Sequence, residues 1–192
     1  MSARVSGRAR RPGSRAALRP FVADDLEPVL AAMRAGETVP AGARGGGPSR
    51  EAVRRMIASS GELLAGRLEL AIEAEGRPVG VVEARAPRGA FPPGVFELGI
   101  QVWDPRDRGR GHGTQAVALL AAHLFGGLGA RRVQAVTEVG NAAMRRALER
   151  AGFRMEGVLR GFLPPETAAG TGDCAVYGIT NDEWENDREP WT

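Results

Sequence analysis

The stretch Trp103 to Thr114, reading Trp-Asp-Pro-Arg-Asp-Arg-Gly-Arg-Gly-His-Gly-Thr, constrains the architecture of this chain more than any other. An apolar run, Phe96 to Trp103, feeds it, and a helical pattern with Val117, Leu120, Ala121 and Leu124 on one face follows it. The order is therefore strand, glycine loop, helix. Gly109, Gly111 and Gly113 stand at alternate positions, where the lack of a Cβ lets the backbone bend tightly and turn successive amide N–H groups toward one point. That point lies at the positive end of the following helix, so the segment suits an anion such as phosphate or pyrophosphate.

Spacing separates the kinds of phosphate loop. A Walker loop places a lysine and then Ser or Thr after its last glycine, and this sequence contains no lysine. A dinucleotide fingerprint runs Gly-x-Gly-x-x-Gly behind a first strand, whereas these glycines run Gly-x-Gly-x-Gly past mid-chain. What remains is Arg108-x-x-Gly111-x-Gly113 opening a helix. After a strand-like Val133 to Thr137 come Asn141 and a short helical run ending Glu149-Arg150-Ala151-Gly152-Phe153. With Leu18-Arg19-Pro20-Phe21 near the start and Val176-Tyr177-Gly178-Ile179-Thr180, then Glu183-Trp184, near the end, this pattern resembles the GNAT N-acetyltransferase superfamily. Within it, the pattern is similar to the branch of ribosomal-protein N-terminal (alanine/serine) acetyltransferases. The resemblance extends over about residues 17 to 185.

The resemblance implies an α/β (α+β) domain: a mixed, mostly antiparallel central sheet of six to seven strands, flanked by about four helices. It implies acetyl-CoA, or another acyl-CoA, as co-substrate, with no metal, and transfer of the acyl group to a primary amine on a protein N-terminus or a small molecule. By the same resemblance, backbone groups of Val102 and Trp103 pair with the pantetheine amides. Arg108, Gly109, Arg110, Gly111, His112, Gly113 and Thr114 surround the pyrophosphate, and Asn141 contacts the pantetheine arm. His112 has a second reading as a solvent-facing side chain. Glu97 occupies a position where the family often aims a carboxylate into the cleft, and is the expected general base acting through water, with Glu83 on the preceding strand behind it. An ordinary ion pair with an arginine competes with that role. Met144 and Leu148 depart from the family, standing where the branch often has Ser and where many members have a general-acid Tyr. Tyr177, the single tyrosine, is then the candidate to protonate the departing thiolate, against a purely structural role. The missing Ser and Tyr also leave open a non-catalytic acyl-CoA sensor.

A chain of 192 residues fits one domain, expected over residues 16–187. Residues 1 to 19 hold six arginines and no acid, so the net charge of +3 arises there and the remaining body is net acidic. Residues 1–15 are expected as a disordered Arg-rich tail, with contact to nucleic acid the lesser reading. Gly36 to Pro48 is a glycine-rich loop, either a lid over the acceptor site or plain surface. His112 and His123 are the only histidines and make no metal site; Cys174 has no disulfide partner and fits a reducing compartment. No apolar run approaches the roughly 20 residues that span a bilayer. A cytoplasmic monomer or homodimer without membrane contact is expected.

Overall fold

The computed structural model describes residues 8–9, 15–35, 49–86, 92–164 and 170–186. Leu68, Leu70 and Ile72 alternate with Glu69, Ala71 and Glu73, and this period of two builds β2 (Arg67–Ala74). Glu75 and Gly76, at φ 53° and 79°, turn the chain back into β3 (Arg77–Arg85). Two left-handed residues in succession give a turn whose twist suits a hairpin. β1 (Ala17–Arg19) pairs antiparallel with β2, and β4 (Val95–Val102) with β3. A helix then carries the chain across, so β5 (Arg132–Glu138) lies parallel to β4. β7 (Cys174–Thr180) inserts between β5 and β6 (Arg154–Leu159), giving seven strands in the order β1-β2-β3-β4-β5-β7-β6. The sheet is mixed and mostly antiparallel, as the resemblance implies.

Helices cover both faces. α1 (Leu26–Ala35) and α2 (Arg50–Ser59) lie on one, where Val29, Leu30, Met33 and Val53 close on Ala71, Phe21 and Trp103. Asp24 and Asp25 form a 3-10 turn just ahead of α1, in which the Asp25 carboxylate accepts the Val22 N–H at 2.9 Å. Ser49 caps α2 by accepting the Ala52 N–H at 3.1 Å. α3 (His112–Leu128) and α4 (Ala142–Arg150) cover the other face, where Leu70, Ile72, Val82 and Leu98 meet Val117, Leu120 and Leu124. The short α5 (Asn181–Asn186) stacks its Trp184 on Phe125 at 5.5 Å.

Gly126-Gly127, where the sequence suggests the end of α3, lies inside the helix. Burial of Leu124 and Phe125, with Leu128 packed beside them, offsets a propensity cost of about 1 kcal/mol per glycine. The helix closes two residues later at Gly129, at φ 63°, with the Ala130 N–H returned to the Leu124 carbonyl at 2.9 Å. Of the Arg-rich tail, only Arg8, Ala9 and Arg15 are described: Ala9 bridges to Leu18, and Arg8 pairs with Glu73. The rest of that tail and the loop from Gly36 to Pro48 lie outside the described residues. Among the described residues no helix is long and apolar enough to cross a membrane.

Candidate active site

The parallel pairing of β4 with β5 is short. It joins Val95 to Arg132, Phe96 to Val133 and Glu97 to Gln134, and there it stops. Beyond that point both strands continue, β4 through Val102 and β5 through Glu138, with no ladder between them. Backbone groups on this edge of β4 therefore lack a strand partner and are available to a ligand carrying amides of its own. A cleft of about 570 Å³ fills the fork, lined by Ile100, Gln101 and Val102 from β4 and by Asn141, Met144 and Ala147 at α4. Asn141 also caps α4, its Oδ1 accepting the Met144 N–H at 3.1 Å.

The glycine loop closes one end of the cleft. Gly109 and Gly111 have φ of 72° and 86°, and a Cβ added at either would meet nothing within 4 Å. Backbone conformation, not crowding, requires glycine there, and the space above the loop is open. Gly111 caps α3 without a side chain, so the first N–H groups of that helix face the cleft uncapped. Gly113, Thr114 and Arg108 complete this end. Arg108 donates through Nε to the Val102 carbonyl at 3.1 Å and through a terminal nitrogen to the Trp103 carbonyl at 2.9 Å, tying the loop to the end of β4.

Three residues expected at the cofactor do not line the cleft. Trp103 is fully buried in the α1/α2 core, 6.3 Å from the Phe21 ring; its backbone N–H donates to the Val79 carbonyl and its backbone carbonyl accepts from Arg108. Arg110 turns back to the β2–β3 hairpin, pairing with Glu75 at 2.7 Å and approaching Asp107 at 3.7 Å. His112 is neither solvent-facing nor in the cleft: it is 2% exposed, and among the described residues neither ring nitrogen has a hydrogen-bond partner. Burial holds its pKa below the ordinary value, and nearby Arg110 lowers it further. Arg77 explains the arrangement, because its guanidinium grips buried Asp107 through two hydrogen bonds of 2.9 and 2.7 Å. The loop is clamped to a hairpin tip 30 residues upstream in sequence.

Tyr177 does not face the cleft either. It is fully buried, its hydroxyl donating to Glu149 at 2.8 Å and accepting from Arg145 Nε at 3.0 Å. With its proton and a lone pair both engaged behind α4, the expected role as proton donor to a thiolate has no geometric basis.

Glu97 stands at the apex of the fork, the last β4 residue paired to β5. Its neighbours Phe96 and Leu98 point into the α3 core, so its side chain lies on the opposite face. There it accepts from Arg85 at 2.8 Å and from Gln134 at 3.3 Å. The expected ion pair with an arginine is present, and it orients the carboxylate at the apex. Glu83 lies beside it over Gly99, where an added Cβ would come within 2.9 Å of Oε1. Arg67 links Glu83, at 2.7 Å, to Glu69, at 2.9 Å. Burial pushes the Glu69 carboxyl above its ordinary range. Glu69 and the clamp residue Arg77 escaped the sequence reading, although the alternation of β2 places Glu69 on the same face as Glu83 through its register partner. Among the described residues no cluster could hold a metal ion.

The acetyltransferase (GNAT) domain family matches residues 15–154. No curated protein matches the chain at a significant level. Solved structures with the same fold include RimJ from Mycobacterium smegmatis in complex with CoA-disulfide, at 22% identity, covering 95% of this chain and 88% of that one, with a TM-score of 0.72. The aminoglycoside acetyltransferase AAC(6')-Ib in complex with coenzyme A matches at 20% identity, over 91% of this chain and 99% of that one, with a TM-score of 0.68. A ribosomal-protein-serine acetyltransferase from Vibrio cholerae matches at 17% identity, over 91% and 97%, with a TM-score of 0.64. A seven-stranded sheet forked between β4 and β5, an uncapped helix behind a glycine loop, and a family match over most of its length together establish that this chain belongs to the GNAT acetyltransferase family.

Proposed function

We propose that this protein transfers the acetyl group of acetyl-CoA to a primary amine, on a protein N-terminus or a small molecule, by direct attack in a ternary complex. The fork between β4 and β5 carries this reading, because it offers strand-edge amides at one end and an uncapped helix N-terminus at the other. Pyrophosphate belongs over Gly109, Gly111 and Gly113, with Thr114 and Arg108 beside it, and the pantetheine arm runs past Asn141 along Val102, Gln101 and Ile100. The thioester then reaches the apex. Support for donor and acceptor class comes from similar folds: RimJ with CoA-disulfide, and AAC(6')-Ib with Parmomycin and acetyl-CoA.

At the apex, Glu97 takes a proton from the ammonium through a water, and the neutral amine attacks the thioester carbon. A β4 backbone N–H past the last ladder pair serves the developing oxyanion. The attacking nitrogen gives up its remaining excess proton to solvent, and collapse breaks the carbon–sulfur bond to leave the amide and a thiolate. Solvent protonates it, since a thiol pKa of about 8.5 makes an acid catalyst unnecessary and Tyr177 is already engaged.

Free thiol release from acetyl-CoA, measured against a panel of Ser- and Ala-initiated peptides, aminoglycosides and polyamines, tests this reading. Wild-type protein should turn over at least one acceptor. Glu97→Gln should lower kcat by roughly 100-fold while leaving the acetyl-CoA Kd within about twofold. Gly111→Glu, which sets bulk and negative charge over the loop, should abolish binding while still melting cooperatively. Wild-type protein that fails to bind acetyl-CoA, or a Gly111→Glu variant that binds as tightly, would overturn it.

A further inference from the structure

We infer that Gln134 is a positioning residue for the reaction, its amide N–H holding the Glu97 carboxylate over the apex of the fork. The inference rests on reading Glu97 as the base and adds the partner that fixes where that base points. Glu97 is the register partner of Arg85 on β3 and of Gln134 on β5, so the three side chains stand in a row across three strands. Val133 and Ala135 belong to the α3 core, which turns Gln134 to the same face as Glu97. Arg85 donates to Glu97 Oε1 at 2.8 Å from one side, and Gln134 donates to Oε2 at 3.3 Å from the other. Arg85 also approaches Glu83, at 3.6 Å, and its side chain is 48% exposed. Left to that arginine, the carboxylate is drawn toward β3; the amide on β5 keeps it over the gap.

The direction of the Gln134 amide is set by its other contact. Arg132 donates from Nε to Gln134 Oε1 at 3.2 Å, and a guanidinium accepts nothing, so the amide nitrogen must face Glu97. Arg132 is itself fixed, its two terminal nitrogens gripping Glu156. That pair lies flat over β7 at Gly178, the register partner of Gln134, where an added Cβ would come within 2.6 Å of a guanidinium nitrogen. The charged groups flanking Glu97 are thus Arg85 and Glu83 on β3, Arg67 and Glu69 behind them on β2, and Arg132 with Glu156 beyond Gln134. Gln134 is the neutral member of that line, so it aims the carboxylate without adding a second cation that would oppose protonation.

Steady-state rates against pH on the full chain test this, using acetyl-CoA and whichever Ser- or Ala-initiated peptide, aminoglycoside or polyamine turns over fastest. Gln134→Met keeps the volume and removes both contacts while Arg132 retains Glu156; kcat should fall about tenfold, and the KM for acetyl-CoA should stay within about twofold. Gln134→Glu keeps the contact with Arg132 but turns a carboxylate toward Glu97, which should move the acidic limb of the kcat profile to higher pH by about one unit. A side chain that merely fills space would not shift that limb. Being isosteric, Gln134→Glu carries the test even if Gln134→Met melts early. In a Glu97→Gln background, Gln134→Met should cost less than about twofold, since the positioned group is already gone. An unmoved limb in Gln134→Glu, or a Gln134→Met loss of the same size with and without Glu97, would overturn the inference and leave acetyl transfer intact. Wild-type protein that turns over no amine, or Glu97→Gln at the wild-type rate, would overturn the base assignment and this inference together.

Discussion

His112 opens α3 with both ring nitrogens buried and, among the described residues, without a hydrogen-bond partner, and burial lowers its pKa. Because the unfolded chain takes up the ring proton more readily, such a histidine costs no stability above its unfolded pKa of about 6.5 and destabilises the fold as pH falls below 6.5 toward the lower folded value. His123 shifts in the same direction through burial. The melting temperature should therefore fall between pH 7.5 and pH 5.5. His112→Leu should flatten part of that fall and add about 1 kcal/mol at neutral pH, by removing an unsatisfied polar group. Thermal melts across that range decide it, and an unchanged slope in the variant would place the sensitivity elsewhere. Tyr177→Phe should cost about 1 kcal/mol of stability and change kcat/KM by less than about threefold, because its hydroxyl serves Arg145 and Glu149. A tenfold loss of kcat with an altered basic limb of the pH profile would instead return it to the reaction. The sequence placed Glu97 on a strand, Asn141 ahead of a short helix and the glycines in a loop before α3, and those placements follow from strand period and local turn chemistry. Directions of Arg110, His112 and Tyr177 were not legible, since each is set by a partner or packing surface remote in sequence. Arg110 meets Glu75 across 35 residues, and Tyr177 meets Arg145 across 32.

At the scale of elements, the glycine loop depends on the hairpin it leans against. Asp107 is 2% exposed and its carboxylate is held by Arg77, whose own side chain is about half exposed. Arg77→Ala strands that carboxylate and should destabilise the protein by about 1–2 kcal/mol, discounted for solvent around Arg77. The same variant should weaken acetyl-CoA binding on the order of tenfold, as loop amides lose their alignment. Denaturant melts and titration check the two effects separately, and intact affinity would show that the loop holds its shape without the clamp. The strand-loop-helix was legible because it is written within a few residues. Insertion of β7 between β5 and β6 was not, because that order arises from pairing between distant strands. The end of α3 was misread for a related reason: packing of Leu124 and Phe125 overrides the glycine propensity that suggested a stop.

For the whole molecule, two cores share one sheet, so a ligand that braces the fork braces both. Acetyl-CoA at 100 times its Kd should add about 2.7 kcal/mol to the unfolding free energy, and the melting temperature should rise with ligand concentration. A shift that fails to grow with concentration would indicate that the ligand does not select the folded state. The sheet is also a partition. Its α3 and α4 side holds the cleft, its α1 and α2 side holds the Glu97 carboxylate, and β4 and β5 separate just beyond that residue. Donor and acceptor thus need not take turns at one doorway. Initial rates at several fixed acceptor concentrations should give intersecting reciprocal plots, and desulfo-CoA should compete with acetyl-CoA but not with the amine. Parallel lines would mean that the protein itself carries the acetyl group between two half-reactions, and the single cysteine, Cys174, is buried on β7.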